Sequence, residues 1–244
     1  MGGLDGRGVA ITGGAGDIGT AMGRELSEQG ASVTLIDRKP LKEAAPWLEK
    51  ARRQNGEVRY AQADVRDRGA LGEVLASVDP LDVAIGNAGI VESAPFLNIT
   101  EEQWQNHLDV NLTGCFHLGQ TAAQLMVEKG KPGRIIFTSS WVQEVPWPEI
   151  TAYSVTKAGL RMLARQMARE LSPYGILVNV IAPGIVKAGL AKRQMETEPQ
   201  YARRVKNVIP LGEPQTAEQV AAATAFLCSE AAEVVGQCRM TSAL

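Results

Sequence analysis

The feature that most constrains the fold of this chain is a glycine-rich turn close to its N-terminus. Residues 9–12 (Val-Ala-Ile-Thr) predict a buried strand, and residues 17–29 predict a helix that Gly30 ends as a left-handed C′ residue. Between them, residues 13–19 carry four glycines, which let the backbone turn sharply. A strand, glycine turn and helix in this order open a parallel α/β sheet and leave helix N–H groups free for a phosphate.

The rest of the chain repeats this alternation of short β-branched runs and longer amphipathic stretches. Further strands are predicted at 32–36, 58–62, 81–85, 134–138 and 177–181. Parallel strands need right-handed crossover connections, and helices supply them on both faces of the sheet. The alternation therefore predicts one Rossmann-type, three-layer α/β/α domain over residues 1–244, with a parallel sheet.

Several helices are marked at their ends or along one face. Capping boxes open two of them, at Thr100 with Gln103 and at Thr216 with Gln219. Apolar spacing predicts two buried helix faces: Trp104, Leu108, Leu112 and Cys115 on one helix, and Leu160, Leu163, Met167 and Leu171 on another. Residues 183–214 show no such pattern, and we expect an irregular lid there, because loops of that length in a compact domain are usually functional.

Composition and charge exclude several classes of protein. The formal net charge of −2 gives no basic face for nucleic acid, and no apolar run approaches the roughly 20 residues of a membrane helix. The N-terminus has no signal-peptide pattern. Three scattered cysteines fit neither a disulfide framework nor a metal site, and His107 and His117 lack partners at ligand spacing. We expect a cytoplasmic protein with a small-molecule substrate and no metal.

Asp37 ends the second predicted strand, 18 residues after Gly19. A carboxylate at this point accepts hydrogen bonds from the ribose hydroxyls of a bound dinucleotide and repels a 2′-phosphate. The sequence therefore favours NAD over NADP. The neighbouring Arg38 can pair with a 2′-phosphate, so use of NADP as a weaker second cofactor stays open.

Tyr153 and Lys157 lie four residues apart at the start of a predicted helix, which places them on one face. A nearby ammonium stabilises the phenolate form of a tyrosine, which then accepts or donates a proton. Ser140 follows the strand at 134–138 on its carboxyl side, where open parallel sheets bind their ligands. Its hydroxyl is placed to hold a substrate oxygen, and the three residues together predict acid–base chemistry at a carbinol carbon.

Taken together, these motifs resemble the short-chain dehydrogenase/reductase family in its common single-domain form. The resemblance covers nearly the whole chain and includes the 13-residue spacing between Ser140 and Tyr153. The motifs that carry it are Thr12-Gly13 to Gly19, Asp64-Val65, Asn87-Ala88-Gly89, Asn111 within Val110 to Gly114, Ser140, Tyr153 with Lys157, and Pro183-Gly184. The family implies a twisted seven-stranded sheet and a homotetramer.

The resemblance also implies roles for individual residues. The family pattern makes Asn111 a catalytic residue beside Ser140, Tyr153 and Lys157, in a proton relay through water and Lys157. Lys157 would also bind the nicotinamide ribose. The expected cofactor-binding residues are Gly13, Asp17, Ile18, Gly19, Asp37, Arg38, Asp64, Val65, Asn87, Ala88, Gly89, Tyr153, Lys157, Pro183, Gly184 and Val186. Within this set Asp64 and Val65 would flank the adenine, and Asn87 would support the cofactor and the central sheet.

The chain departs from the family pattern in three places. Asp17 stands where the family usually has glycine, and an acid near a pyrophosphate costs affinity unless it points away. Lys187-Ala188-Gly189 offers no hydroxyl where the family often has a threonine for the nicotinamide amide. The usual C-terminal Asp-Gly-Gly, which helps to shape the pocket and the subunit contacts, is absent.

Residues 141–148 are expected to line the substrate pocket, and Val145 to Pro148 are similar to the corresponding segment of bacterial glucose 1-dehydrogenases. The candidate substrate residues are Glu92, Trp141, Gln143, Glu144 and Trp147. Gln143 and Glu144 are placed to bond sugar hydroxyls, or else lie at a solvated rim. Basic residues in the lid favour an anionic substrate, or are a solvated helix face.

The leading prediction is an NAD-dependent oxidoreductase that acts on an aldose, polyol or related secondary alcohol. A 3-oxoacyl-thioester reductase is the alternative enzyme, although it would normally prefer NADPH, which Asp37 opposes. A catalytically idle NAD-binding regulator is the alternative from another class, although such proteins tend to lose the tyrosine or lysine that are both present here.

Overall fold

The computed structural model describes residues 3–52 and 56–232 and the backbone of residues 238–240. A parallel sheet runs through its centre, with the strand order β3-β2-β1-β4-β5-β6-β7. Six strands have four to six residues each: β1 (Gly8–Thr12), β2 (Ser32–Asp37), β3 (Glu57–Gln62), β4 (Val83–Gly86), β5 (Arg134–Thr138) and β6 (Leu177–Ala182). The seventh place is taken by a three-residue segment, β7 (Cys238–Met240), which pairs in parallel with β6.

Helices connect the strands and form the outer layers. They are α1 (Asp17–Glu28), α2 (Leu41–Ala51), α3 (Arg68–Ser77), α4 (Glu101–His107), α5 (Gly114–Glu128), α6 (Thr151–Leu171), α7 (Gly189–Thr197), α8 (Pro199–Val208) and α9 (Ala217–Cys228). The predicted end of α1 is confirmed, since Gly30 has a φ of +93°. Both predicted capping boxes are confirmed, at the starts of α4 and α9. None of the helices in the described part of the chain has the length and apolar character to cross a membrane.

Two hydrophobic cores, one on each face of the sheet, follow from the alternation of side chains along buried strands. Val9 and Ile11 of β1 pack into one core with residues of α1, α2 and α9. Ala10, between them, packs into the other core with residues of α3, α5 and α6. The predicted single α/β domain, with a parallel sheet between two helical layers, is confirmed.

The strand order reverses between β1 and β4, which lie side by side although two other strands separate them in sequence. In open α/β sheets this switch point leaves a crevice at the carboxyl ends of the strands. The glycine turn follows β1, and Asn87 follows β4. The fold therefore brings these two sequence motifs to the same edge of the sheet.

The predicted buried face of residues 104–115 is only partly right. Cys115 is buried, but Trp104 is half-buried, and the innermost side chains before Cys115 are those of His107 and Asn111. A π-helical turn at Leu108–Thr113 joins α4 to α5 and takes more residues per turn than an α-helix, so the faces before and after it do not align. Polar residues can be buried when their hydrogen bonds are satisfied inside the protein. The spacing of apolar residues does not reveal such positions.

The expectation of an irregular segment at 183–214 is wrong, because most of it is helical. Helix α7 begins at Gly189, and Pro199 occupies the first turn of α8, where a missing N–H costs nothing. Val205 and Ile209 are buried beneath these helices. Lysine, arginine and glutamate fill the outer faces, so the short apolar stripe is easily missed in the sequence.

Candidate active site

Ser140 lies just beyond the carboxyl end of β5, as its position after the strand predicts. Its side chain is buried, and the next residue, Trp141, donates its N–H to the carbonyl of Pro183 at 2.9 Å. The hydroxyl of Ser139 donates to the backbone carbonyl of Lys157 at 3.1 Å. These two bonds join the strand end to the loop after β6 and to α6, so the position of Ser140 is determined by the framework.

Tyr153 and Lys157 lie one turn apart in α6, and the ammonium nitrogen of Lys157 is 5.3 Å from the centre of the Tyr153 ring. Lys157 is only 3% exposed. Its Nζ donates to the carbonyl of Thr138 at 2.8 Å. An ammonium has three donors, so Lys157 retains capacity to donate to a ligand beside the Tyr153 ring.

Asn111 is fully buried in the π-helical turn and uses both ends of its amide. Its Oδ1 accepts the N–H of Ile90 at 2.8 Å, and its Nδ2 donates to the carbonyl of Ile90 at 2.9 Å. The same Nδ2 lies 3.2 Å from the hydroxyl of Thr156 in α6. Asn111 thus ties the loop after β4 to the helix that carries Tyr153 and Lys157.

Gly89 lies close to the side chains of both Asn111 and Lys157. A Cβ atom at this residue would lie 3.4 Å from Oδ1 of Asn111 and 3.6 Å from Nζ of Lys157. The structure therefore brings Asn111 and Lys157 together beside the end of β4, with the Tyr153 ring next to Lys157. Ser140 reaches the same edge of the sheet through β5, which pairs with β4.

The glycine turn packs directly against the segment that follows β4. Gly13 has a φ of +66°, and a Cβ atom there would lie 2.8 Å from Cα of Ala88. The Nδ2 of Asn87 is 3.2 Å from the carbonyl oxygen of Thr12, whose hydroxyl accepts the backbone N–H groups of Asn87 and Ala88. The expected support of the central sheet by Asn87 is thus seen as hydrogen bonds.

A second glycine of the turn is also required by packing within the protein. A Cβ atom on Gly19 would overlap the carbonyl oxygen of Gly13. At Gly16 a Cβ atom would lie 3.5 Å from that same oxygen and, within the part of the chain that the structure describes, would otherwise meet open space. Gly16 precedes α1 and has no side chain to cap it, which leaves first-turn N–H groups available to an anion.

Asp37 lies at the end of β2 and faces the glycine turn. Its carboxylate accepts the backbone N–H of Ala15 at 3.1 Å and that of Lys39 at 3.2 Å. The ammonium of Lys39 donates to the carbonyl of Ala15 and lies 5.0 Å above the ring of Trp47. A carboxylate accepts more than two hydrogen bonds, so Asp37 retains capacity for ribose hydroxyls.

Asp64 and Val65 follow β3 and are held in different ways. The guanidinium of Arg66 beside Asp64 holds the pKa of that carboxyl below its usual range. Val65 is buried against α5, where a Cβ on Gly114 would lie 2.6 Å from its side chain. The backbone carbonyl of Val65 also lies 3.0 Å from Nδ1 of His117. Both residues follow the carboxyl end of β3, beside the end of β2.

The loop after β6 is pinned by a residue that the sequence analysis did not single out, Gln215. The N–H of Gly184 donates to its side-chain oxygen at 3.0 Å, and Val186 forms a parallel bridge with its backbone. Pro183, Gly184 and Val186 therefore form a fixed base for α7. A glutamine outside every known motif gives no signal in a single sequence.

The candidate substrate residues separate into an aromatic and a polar group. Trp147 packs edge-on against Trp141 at 5.3 Å and against Tyr201 of α8 at 6.4 Å, with the guanidinium of Arg204 5.4 Å from its ring centre. This aromatic cluster joins residues 141–148 to the lid. Its apolar neighbours include Tyr153.

The polar candidates already have protein partners. Glu144 forms an ion pair with Arg161 at 3.0 Å and accepts from Nε2 of Gln143 at 3.4 Å. Glu92 is exposed, and its backbone N–H donates to Nε2 of the buried His107 at 3.1 Å. His107 is therefore structural, as predicted, and it holds the loop that carries Glu92. The sequence did not reveal this link.

The residues at this edge fit a nicotinamide dinucleotide at both ends. Asp37 offers a carboxylate at the adenosine end, the first turn of α1 offers N–H groups, and Lys157 offers a buried ammonium at the other end. One group does not match an anionic diphosphate: Asp17, the first residue of α1, whose carboxylate accepts the N–H of Gly189 at 2.9 Å. The C-terminal segment 236–244, which lacks the family's Asp-Gly-Gly, lies outside the described residues except for the backbone of 238–240.

Comparisons with known proteins agree with this arrangement. Residues 7–199 match the family described as short chain dehydrogenase. The chain is 32% identical to 3beta-hydroxysteroid dehydrogenase 1 of Eggerthella lenta, over 95% of this chain and 90% of that protein. It is also 32% identical to carbonyl reductase [NADPH] 2 of Sus scrofa, over 90% of this chain and 88% of that protein.

Solved structures give the same result. A protein from Beutenbergia cavernae, assigned as an NAD(P)-dependent gluconate 5-dehydrogenase and crystallised with bound NADP at low occupancy, superimposes with a TM-score of 0.91. The two sequences are 27% identical, and the match covers 98% of this chain and 96% of the other. From its motifs, its sheet and these relatives, the chain belongs to the short-chain dehydrogenase/reductase family and is an oxidoreductase that acts on hydroxyl or carbonyl groups.

Proposed function

We propose that this protein oxidises the secondary alcohol of an aldose, polyol or related hydroxyl compound with NAD, and reduces the matching carbonyl in reverse. The observation that carries the proposal is the buried ammonium of Lys157, 5.3 Å from the Tyr153 ring centre and next to the end of β5. When bound, the nicotinamide cofactor accepts or returns a hydride at the carbinol carbon.

The chain's own residues supply the proton chemistry. Tyr153 takes the hydroxyl proton during oxidation and returns it during reduction, with the ammonium of Lys157 close to its ring. Ser140 donates a hydrogen bond to the substrate oxygen and fixes its distance from Tyr153. Asn111 holds the loop at Ile90 and completes the route by which a proton passes from Lys157 to water.

NAD is proposed as the preferred cofactor because Asp37 ends β2 with a carboxylate that repels a 2′-phosphate. Lys39, a cation close to Asp37, is occupied by the carbonyl of Ala15 and the ring of Trp47. Arg38 is exposed and supports weaker use of NADP. The ratio of kcat/KM for NAD and NADP measures this preference, and Asp37→Ala is expected to shift it towards NADP.

The central test replaces Tyr153 with phenylalanine, which removes one oxygen and retains the ring. We expect Tyr153→Phe to abolish turnover while calorimetric NAD binding persists. Tyr174→Phe is the matched control, because Tyr174 is exposed in the turn after α6 and should leave both properties unchanged. Full activity in Tyr153→Phe would disprove the mechanism, and absence of turnover in the wild type on every alcohol and carbonyl would favour an idle NAD-binding regulator.

The substrate class is tested by NADH formation across aldoses, polyols and hydroxy acids, with NADP in parallel. Trp141, Trp147 and Gln143 are the proposed pocket residues, with Glu92 and Glu144 at its rim and residues 183–214 as the lid. Turnover of one sugar or polyol with NAD would support the proposal. Failure of all of them with NAD would contradict it.

Carbonyl reduction of a 3-oxoacyl thioester is the second candidate. It is favoured by exposed basic residues on α8, where Arg203, Arg204 and Lys206 are placed to meet an acidic carrier. The relative from Sus scrofa, named as an NADPH carbonyl reductase, works in the same chemical direction. NADPH consumption with a 3-oxoacyl thioester, in the absence of sugar turnover, would replace the first proposal with this one.

A homotetramer is the proposed assembly. Four large apolar side chains are exposed on the outer faces of α5 and α6: Phe116, Val127, Val155 and Met162. Neighbouring exposed apolar side chains of this size are typical of a protein–protein interface. Light scattering after size exclusion measures the mass, and Met162→Glu is expected to give smaller particles.

A further inference from the structure

Asp17 forms a contact that the glycine usual in this family cannot make. It is the first residue of α1, and its Oδ2 accepts the backbone N–H of Gly189, which is the first residue of α7. The residue before α7, Ala188, has no polar side chain to cap that helix. Asp17 therefore gives a partner, from another element, to one of the first-turn N–H groups of α7 that have none within the helix.

The carboxylate also lies between the N-termini of two helices. The first turn of α1 begins at Asp17 itself, and the first turn of α7 begins at its hydrogen-bond partner. Helix N-termini attract negative charge through free N–H groups and the helix dipole. The same property makes the first turn of α1 the expected place for a pyrophosphate. Asp17 thus places a negative charge close to the position that the negatively charged diphosphate of a bound dinucleotide would occupy.

The lid has two attachments near this point, and they differ in kind. Its base is fixed by Gln215, which bonds Gly184 and bridges Val186. The start of α7 is joined to the nucleotide-binding turn by a hydrogen bond to a single charged group, Asp17. The first attachment holds the loop whatever is bound, whereas the second is sensitive to any anion that approaches α1.

We propose that Asp17 is an internal anion that holds the lid against the nucleotide-binding turn in the cofactor-free protein and weakens binding of the dinucleotide diphosphate. This inference rests on the proposed function, because it assumes that the crevice binds such a cofactor. Asp17 would then determine the position of the lid before the cofactor binds, and would also raise the dissociation constant of the cofactor.

Two variants separate the charge from the hydrogen bond. Asp17→Asn removes the charge and keeps an oxygen that accepts from Gly189, whereas Asp17→Ala removes both. Glu73→Gln is the control, since Glu73 is exposed on α3 and its replacement changes the net charge equally. The probes are ADP-ribose and NAD, and titration calorimetry measures their dissociation constants. Removal of a unit charge near a doubly charged diphosphate should tighten binding about tenfold in both Asp17 variants.

The lid is followed separately by limited trypsin digestion of the cofactor-free proteins. Lys192 and Arg193 are exposed on α7, and cleavage there requires the helix to open. We expect cleavage in Asp17→Ala about fivefold faster than in the wild type, the change that accompanies loss of a helix cap. Asp17→Asn should lie between them, and Glu73→Gln should match the wild type.

Either of two results overturns the inference: equal or weaker ADP-ribose binding in Asp17→Asn, or unchanged cleavage at Lys192 and Arg193 in Asp17→Ala. Failure of the proposed function looks different. In that case the wild type and all variants bind neither ADP-ribose nor NAD, and the digestion alone decides whether Asp17 holds the lid.

Discussion

Among single residues, His107 and Asn111 show how buried polar side chains shape the catalytic edge. Nδ1 of His107 is 2.6 Å from the carbonyl of Gln103, and its Nε2 accepts the N–H of Glu92. A carbonyl only accepts and an N–H only donates, so the ring is neutral with its proton on Nδ1. His107 and Asn111 thus give the loop after β4 a fixed shape that apolar contacts alone would not specify.

Replacement of Asn111 by alanine should destabilise the protein even without substrate. The N–H and carbonyl of Ile90 would both lose their partner near the buried centre, which costs about 1–3 kcal/mol for each unsatisfied group. Urea unfolding measures the change in free energy. Asn207→Ala, at an exposed residue of α8, is the control and should stay within about 0.5 kcal/mol of the wild type. Equal stability of the two variants would contradict the role given to Asn111.

The two described cysteines should be inert in the folded protein. Burial raises the pKa of the Cys115 thiol to about 11 and that of Cys228 to about 12. At pH 8 almost no thiolate is present at either residue, and the thiolate is the reactive form. Iodoacetamide followed by peptide mass spectrometry should find both peptides unmodified in the native protein and fully modified in denaturant. Rapid native labelling of Cys115 would show that the core beside Lys157 opens.

Among the elements, α8 and residues 141–148 share a hydrophobic cluster, to which Trp147 adds aromatic contacts. Trp147→Ala would remove ring contacts to Trp141 and Tyr201 and the cation contact of Arg204, at a cost of about 2 kcal/mol. We expect trypsin to cleave α8 faster in this variant than in the wild type. Leu211→Ala is the control, because Leu211 is 92% exposed. An unchanged rate of cleavage in Trp147→Ala would mean that other contacts hold the lid.

The sequence predicted those elements whose buried side chains are apolar and regularly spaced. Strands β1 to β6 and α1 were located to within two residues, because β-branched runs and Gly30 mark them directly. The π-helical turn was missed because its innermost residue is the polar Asn111, and α7 and α8 were missed because charged residues dominate them. Hydrophobic periodicity identifies the buried face of an element only where the buried side chains are apolar.

The sequence predicts which residues form the candidate site. It does not predict which hydrogen bonds and ion pairs those residues make. The spacing of Tyr153 and Lys157 fixes their common helix face, and the strand order brings Asn87 to the glycine turn. The partners of Glu144 and Asp17 are Arg161 and Gly189, which lie far along the chain. Contacts of that kind depend on the three-dimensional conformation of the loops, and no local sequence pattern predicts them.

Across the whole molecule, stability should decline on the alkaline side. Burial raises the pKa values of Cys115 and Cys228, and burial together with the charges of Asp37 and Glu43 raises that of Tyr60 to about 12. Unfolded thiols and phenols ionise near pH 8.5 and 10, so the stabilisation is complete below about pH 8.5 and is lost as the pH rises towards the folded values. Each buried thiol should contribute a slope of up to about 1.4 kcal/mol per pH unit.

Urea unfolding between pH 7.5 and pH 10.5 tests this dependence. The free energy of unfolding of the wild type should fall with pH, and the slope should be smaller in the double variant Cys115→Ala/Cys228→Ala. The absolute stability of the variant is not the readout, because both substitutions also remove packing. Identical slopes in the two proteins would show that the thiols are not the groups responsible.

The packing of the glycine turn has a consequence for how such chains diverge. Gly13, Gly14 and Gly19 are required by contacts with Ala88, with Leu35 and with the turn itself, whereas a side chain at Gly16 would meet mainly open space. Selection for folding alone would therefore preserve these three glycines in a descendant that no longer used a dinucleotide. Gly16 would be released to drift. When distant homologues are compared, the residue at the position of Gly16 is therefore the informative one. The other glycines of the turn show common ancestry of the fold and do not show that the activity has been retained.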